Sequence, residues 1–541
     1  MLRDPIIGVF IKSVFCPLLF LIIAGECFAA QFAGIVTNTQ GRPISKALVR
    51  LQGTSFFTFT NEKGYFEIFT ADAVISKYIT AWKNGFYNAG QPVSGTGKEY
   101  KIALKPIPID DNKHYKWRSS LQDQISATAG DRQETKPCRD CHPVLTEQWG
   151  KSTHSGSATN PVFLAFFSGT DKQDGKDAGP TYKTDFPNAN GNCSTCHLPA
   201  MALNNSFNSN PNEARGIEKE GIFCDLCHKI DNVRIDKTGG YPGILSIQFR
   251  RPSDDHQIFY GPYDDVFPGD DSYHPLYKES RYCAPCHNGK FWDIPIYSEF
   301  QEWSESSYAA KNIHCQDCHM APEGKMTRFA PEKEGSVERN PETIPSHLFY
   351  GIGDRAFMSG AIDLNVHTKR NDDILHVSVT IKNIKAGHHY PSGNPMRNMI
   401  LLVNAADDKG HSLSMLDGDK VPVWGGVGDV KEGNYAGLPG KGFAKVLRDS
   451  IPYPDQRIRH FQPEYPAPHW RPVYIESDNR IPAEGADISR YRYRIPADLS
   501  GTINVTARLI YRKAYKKWLD SKGLKVDEME IALKSVTIGR K

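Results

Sequence analysis

At 541 residues the chain is longer than one hydrophobic core usually serves, so roughly two to four domains are expected. Hydrophobic residues at 39% and charged residues at 23% sit near globular averages, which excludes a largely disordered or fibrous protein. With 65 basic against 62 acidic residues the formal net charge is +3, too weak a global field to steer the chain onto nucleic acid or acidic lipid.

Residues 1–30 combine Arg3 and Lys12 with an apolar run from Val14 to Ala24 and small residues at Cys27, Ala29 and Ala30. This is a secretory signal peptide pattern, with cleavage expected near Ala29 or Ala30. The run is shorter than the roughly 20 residues of a spanning helix, and no later segment is apolar for long enough to cross a bilayer. Glu26, directly before Cys27, argues against a lipid anchor. A soluble mature protein is expected, in the periplasm or at the extracellular, outer surface.

Residues 31–105 alternate apolar and polar side chains in short runs separated by turn residues, as in Gly34-Ile-Val, Gly41-Arg-Pro43, Ala47-Leu-Val-Arg-Leu51 and Asn61-Glu-Lys-Gly64-Tyr-Phe66. The pattern predicts small antiparallel strands. Residues 106–137 are polar, begin with Pro106 and Pro108, and read as a linker.

Ten of the twelve cysteines lie beyond the leader, and all ten fall in C-x-x-C pairs: Cys138/Cys141, Cys193/Cys196, Cys224/Cys227, Cys283/Cys286 and Cys315/Cys318. Each pair is followed at once by histidine, at His142, His197, His228, His287 and His319. Two thiols at this spacing can bond the two vinyl-derived carbons on one haem edge while the next side chain reaches the iron. Structural zinc needs four ligands from two elements and gives no reason for five histidines in that place. Five tandem redox dithiols in one segment would make an odd thiol oxidoreductase. Five covalently attached c-type haems, with their iron, are therefore expected. From Cys138 to His319 there is too little chain to build a conventional core around each of five porphyrins, so the pentahaem region, residues 138–354, should be packed on its haems, with short helices, long loops and little sheet. From residue 355 to 541 the strand runs Leu375–Ile381, Met399–Val403 and Ile503–Ile510 predict a second, larger β-sandwich. The expected class is α+β multidomain: N-terminal β-sandwich, central haem-packed domain, C-terminal β-sandwich.

Residues 31–105 resemble the carboxypeptidase regulatory-like, transthyretin-like β-sandwich. Thr60, Gly64 and Phe66 carry its hairpin motif. The resemblance implies adhesion or docking and not peptidase catalysis. Residues 137–405 resemble the multihaem cytochrome family that includes cytochrome c554 and its octahaem and hydroxylamine-oxidoreductase-like relatives. Four contexts carry that resemblance: Trp149-Gly-Lys-Ser-Thr-His154; Tyr273-His274-Pro275; Ser346-His347-Leu-Phe-Tyr-Gly351; and Gly387-His388-His389-Tyr390-Pro391-Ser392-Gly393. It implies that His154, His274, His347 and His388, with His389 as the fallback, hold iron opposite the motif histidines. For the fifth iron His314 and His256 remain. His314 is chosen, to reach a neighbouring haem, because His256 sits in a hydrophilic Asp-Asp-His stretch.

The expected function is electron transfer along a row of haems in anaerobic or extracellular respiration. Partners would be other multihaem cytochromes, with a homo-oligomer or filament open. The alternative is a multihaem oxidoreductase with one open-site haem acting on a nitrogen oxide, hydroxylamine or a similar small molecule. No C-x-x-C-Lys unit is present, so the special haem of the family's ammonia-forming nitrite reductases is not expected.

Overall fold

The structure is a computed structural model and describes residues 30–70, 76–128, 131–170, 179–253, 256–450, 464–499, 501–525 and 528–539. The leader, with Cys16 and Cys27, lies outside the described residues. No helix among the described residues is long and apolar enough to cross a membrane.

The N-terminal unit is a two-sheet sandwich. One sheet orders Tyr65–Thr70, Ala30–Asn38 and Glu99–Leu104; the other orders Phe57–Phe59, Leu48–Leu51, Tyr78–Trp82 and Ala89–Pro92. Alternation drives the packing, since Phe66 and Ile68 point inward between outward Tyr65, Glu67 and Phe69. The inward side chains join Val36, Val49, Leu51, Ile79, Tyr100 and Ile102 in a closed core. Thr60 ties the corner: its hydroxyl accepts from Ala47 N at 2.8 Å and donates to Ile44 O at 2.6 Å. Gly34 has to be glycine, because a Cβ there would meet the Tyr100 carbonyl oxygen at 2.0 Å. The expected all-antiparallel pairing is corrected at one place: Ala30–Asn38 runs parallel to Glu99–Leu104. Glu99–Leu104 arrives from the opposite sheet, and alternation reads the same in either direction.

This sandwich docks on the haem-motif region through residues 263–273. Arg50 grips Asp264 with two bonds of 2.6 and 3.0 Å, and Gly53 N donates to Asp265 Oδ2 at 2.8 Å. Arg339 reaches the same buried Asp265 at 2.8 Å. The segment expected to be a linker is instead strapped down. Trp117 sets its ring edge against Phe223 and Phe249, and the Tyr115 hydroxyl donates to Asp225 Oδ2 at 2.9 Å. Asp111, paired with Arg251, and Ser119 and Ser120, which donate to Glu220, hold the same stretch.

Among the described residues the haem-motif region has helices no longer than Pro143–Lys151 and only two-stranded ladders. Its apolar residues form small separate clusters, such as Trp149, Ala200, Phe223 and Leu226. A conventional single core is absent among the described residues.

The C-terminal unit is the expected sandwich. Ile362–Asn371, Ile374–Asn383, Ala486–Arg494 and Met415–Gly418 form one sheet, and Gly440–Phe443, Asn398–Asp407, Ile503–Arg512 and Met529–Ile538 the other. Leu375, Val377, Val379 and Tyr493 meet Leu401, Val403, Val505 and Leu509 between them. The second sheet is covered on its outer face too. There Ile400 and Ile510 pack with Trp424, Trp470, Tyr515, Trp518 and, from the haem-motif region, Phe166. Asp185, also from that region, locks this layer: it accepts from Trp470 Nε1 at 2.7 Å and from Arg471 at 2.7 and 2.9 Å, with both charged side chains 3% exposed.

Removing one partner of a buried pair strands the other charge, which costs about 3–5 kcal/mol. Asp185→Ala is therefore expected to lower the denaturation midpoint of the full chain, followed by tryptophan fluorescence, by the shift that such a loss of unfolding free energy produces. An unchanged midpoint would show that this contact does not fix the C-terminal unit.

Candidate haem sites

Each C-x-x-C-H unit is built on one helical turn, for example Cys138–Cys141, Cys224–Cys227 and Cys315–His319. Residues three apart on a helix share a face, so both thiols of a pair lie together. The histidine closes the turn: His142 N donates to Cys138 O at 2.8 Å, and His197, His228 and His287 repeat the bond to their own first cysteine at 3.0–3.1 Å.

All ten cysteines and all five motif histidines line one continuous cavity of about 1280 Å³. Ordinary ligand pockets hold roughly 300–1,000 Å³. None of the ten thiols is in a disulfide. Among the described residues no group of three or more His, Cys, Asp or Glu side chains is arranged to hold a metal ion.

The motif imidazoles are held from behind. Nδ1 of His142 lies 2.9 Å from Phe329 O, that of His197 3.3 Å from Ser157 O, that of His228 2.6 Å from Tyr260 O, and that of His319 2.5 Å from Tyr350 O. A carbonyl at Nδ1 fixes the tautomer and leaves Nε2 as the basic nitrogen. His287 differs, with the buried Glu299 carboxylate 3.7 Å from its Nδ1. Against the pull of burial, His287 and then Arg397 hold Glu299 down at about 2.

Thiols of different motifs also meet. Cys138 contacts Cys224, Cys196 contacts Cys286, and Cys283 contacts Cys315. Cys227 lies close to Cys283 and Cys286. The first motif thus borders the third, the third borders the fourth, and the second and fifth both border the fourth.

Of the histidines expected opposite the motifs, His154, His314, His347 and His388 reach the cavity wall. His154 stands 6.5 Å from His287 between ring centroids, and His388 stands 6.2 Å from His319 with ring planes 11° apart. Two imidazoles bound to one metal ion from opposite sides, at bonds of about 2 Å, have centroids roughly 6 Å apart. Burial pushes His154 down to about 3 and His347 to about 4, so both rings are neutral at pH 7, the form that binds a metal. His347 lies near His228 and His142. His314 accepts from Ser280 N at 3.2 Å through Nδ1 and lies against Trp303.

His274 is not brought to this cavity. It borders a separate space of about 240 Å³ beside Asp231 and Arg250, and its Nδ1 accepts from Leu276 N at 3.3 Å. His256 is exposed and is likewise absent from the wall. His389 turns away: its main-chain N–H donates to Glu302, which Arg480 holds at 2.7 Å. Sequence reasoning passed over His469, whose ring does line the cavity. The available signal was Pro466 and Pro468, which stiffen the backbone just ahead of a His-Trp pair.

The donor set fits covalently held haem: ten thiols outside any disulfide, five motif imidazoles of which four are anchored at Nδ1 by a carbonyl, and two pairs of facing rings at the right separation. Residues 137–229, spanning the first three motifs, match the family described as cytochrome c554 and c-prime. Over its first three motifs the chain is therefore similar to a family of c-type cytochromes. The match does not reach residues 31–105, nor the contexts around His274, His347 and His388. A crystal structure of a penta-heme cytochrome c552 from Thermochromatium tepidum is similar at a TM-score of 0.50 and 18% identity, over 74% of this chain and 97% of that one. At that identity the likeness is one of fold. The Fcho1 Mu homology domain of Danio rerio with bound Eps15 peptide reaches a TM-score of only 0.13 at 9% identity, over 34% of this chain and 44% of that one. No curated protein matches the chain.

The two adjacent histidines of the Gly387–Gly393 turn should behave differently. His388→Ala is expected to turn one low-spin haem high-spin and open it to carbon monoxide, while His389→Ala leaves the spectrum unchanged. Optical and electron paramagnetic resonance spectra of the two variants decide it, and equal effects would remove His388 from the fifth motif's iron.

Proposed function

We propose that the chain is an exported pentahaem c-type cytochrome that passes electrons along adjoining haems, in anaerobic or extracellular respiration. The observation that carries the reading is the single cavity, onto which all five motifs open and in which each motif borders at least one other. Bound haem would supply a one-electron iron couple. The polypeptide supplies the rest. Its paired thiols fix each ring edge, its carbonyl-anchored imidazoles set ligand basicity, and its aromatic walls exclude water, which tunes the potentials.

The order of contacts makes the fourth motif the junction, with routes to the second, the third and the fifth. Glu299, 3.7 Å behind His287, would make that imidazole a stronger donor to bound iron than its carbonyl-anchored counterparts, which would favour a lower potential at this junction. Partners would be redox proteins, other multihaem cytochromes among them, in the periplasm or at the cell surface, and assembly into a homo-oligomer or filament is compatible with this role. The flanking sandwiches hold the haem region and offer their outer surfaces for docking.

Intact-mass spectrometry of the mature protein tests the reading: about five haem masses should be attached through thioether bonds. Recovery of the ten thiols as free or disulfide-bonded cysteine would end it. A redox titration should then show all haems cycling between two states without any added substrate.

A further inference from the structure

Among the facing pairs, His154 meets His287 and His388 meets His319, while His347 lies near His228 and His142. None of these is set against His197, the imidazole of the second motif. The His197 ring lies flat on Phe163, with centroids 3.9 Å apart and planes 1° apart, and its Nδ1 is taken by Ser157 O. Its Nε2 is the nitrogen left for the cavity.

His469 borders the same cavity. The ring is boxed edge-on by Phe291 at 5.6 Å, Tyr297 at 5.9 Å and Trp470 at 5.3 Å. Tyr297 lies beside Cys193 and Cys196, and His197 is the motif imidazole near His469. The loop that carries His469 is clamped to the wall of the second site. Trp470 and Arg471 both bond Asp185, the last residue of the short helix Tyr182–Asp185, and Tyr182 itself lies beside Cys193. The ring is poorly satisfied by protein. Nδ1 is buried with no hydrogen-bond partner, and Nε2 has only the Tyr297 hydroxyl at 3.3 Å, at the long end for such a bond. A structural core histidine would be expected to use its nitrogens, since an unsatisfied buried polar atom costs about 1–3 kcal/mol. A weak bond at Nε2 is readily exchanged for a metal.

We infer that His469, from the C-terminal unit, supplies the second axial imidazole to the haem held by Cys193, Cys196 and His197, and so closes that iron to small molecules. The inference rests on the pentahaem reading above. Its consequence is specific: the second site serves electron transfer and is not an open site for a nitrogen oxide or hydroxylamine.

The test uses the full-length holoprotein. His469→Ala should keep the wild-type haem mass, add one high-spin haem per chain in the electron paramagnetic resonance spectrum, and add one carbon monoxide bound per chain in the reduced state. His469→Met should keep that haem low-spin, with a methionine-sulfur charge-transfer band and a raised potential for one haem. Tyr297→Phe should leave every haem low-spin, which separates ligation by His469 from ligation by the neighbouring tyrosine. The inference is overturned if His469→Ala carries its full haem complement with the wild-type number of low-spin haems. If that variant does not accumulate, a His469→Met protein without the sulfur band overturns it. A wild-type protein with no haem on Cys193 and Cys196 would instead defeat the pentahaem reading itself.

Discussion

The haem-motif region is organised by a deficit of apolar side chains. Its own residues form only scattered clusters, while ten thiols and the motif imidazoles line a shared space that no protein atom fills. Close packing is the normal state of a protein interior, and an empty space of this size would be strongly destabilising. Planar, apolar macrocycles bonded to those thiols would fill it. Every other feature answers to that arrangement: the one-turn helices that present the thiols, the carbonyls placed behind the imidazoles, and the aromatic rings of Phe163, Phe349 and Trp303 along the wall.

The flanking units are braces as well as domains. The N-terminal sandwich grips residues 263–273 through Arg50 and Gly53, and Asp265 links it on to Arg339. The C-terminal sandwich goes further. The sheet containing Asn398–Asp407 and Ile503–Arg512 is buried on both faces, one against its partner sheet and one against a layer of loops rich in tryptophan and tyrosine. That second layer carries Trp470 and Arg471 onto Asp185, and so carries His469 to the cavity. The Gly387–Gly393 turn, between two strands of opposite sheets, does the same for His388.

What was legible in the sequence was local. A C-x-x-C-H unit needs only one turn of helix, so its chemistry survives in five consecutive residues, and the alternation of Tyr65–Thr70 or Ile374–Asn383 states which side faces a core. Parallel pairing of the first strand with Glu99–Leu104 was not legible, because the side-chain period is the same in both directions. Nor was the strap at Tyr115 and Trp117, whose partners lie more than a hundred residues further on. Ligand histidines were the hardest. His274 and His154 have equally suggestive neighbours, yet the chain folds one toward a side pocket and the other toward His287. His469 has no local signature beyond two prolines, since its position is set by a buried ion pair with a residue far back in the chain.

The meeting of His388 with His319 joins the last motif to a turn of the C-terminal sandwich. Attachment of haem to the thiols would need a single turn of chain, whereas a bond from His388 to the same iron would need a finished sandwich docked in place. The colour of the protein would then be set early in its biogenesis and its spin state late. Visible spectroscopy would report, within one molecule, both that the cofactor has been installed and that the most distant part of the chain has found its place.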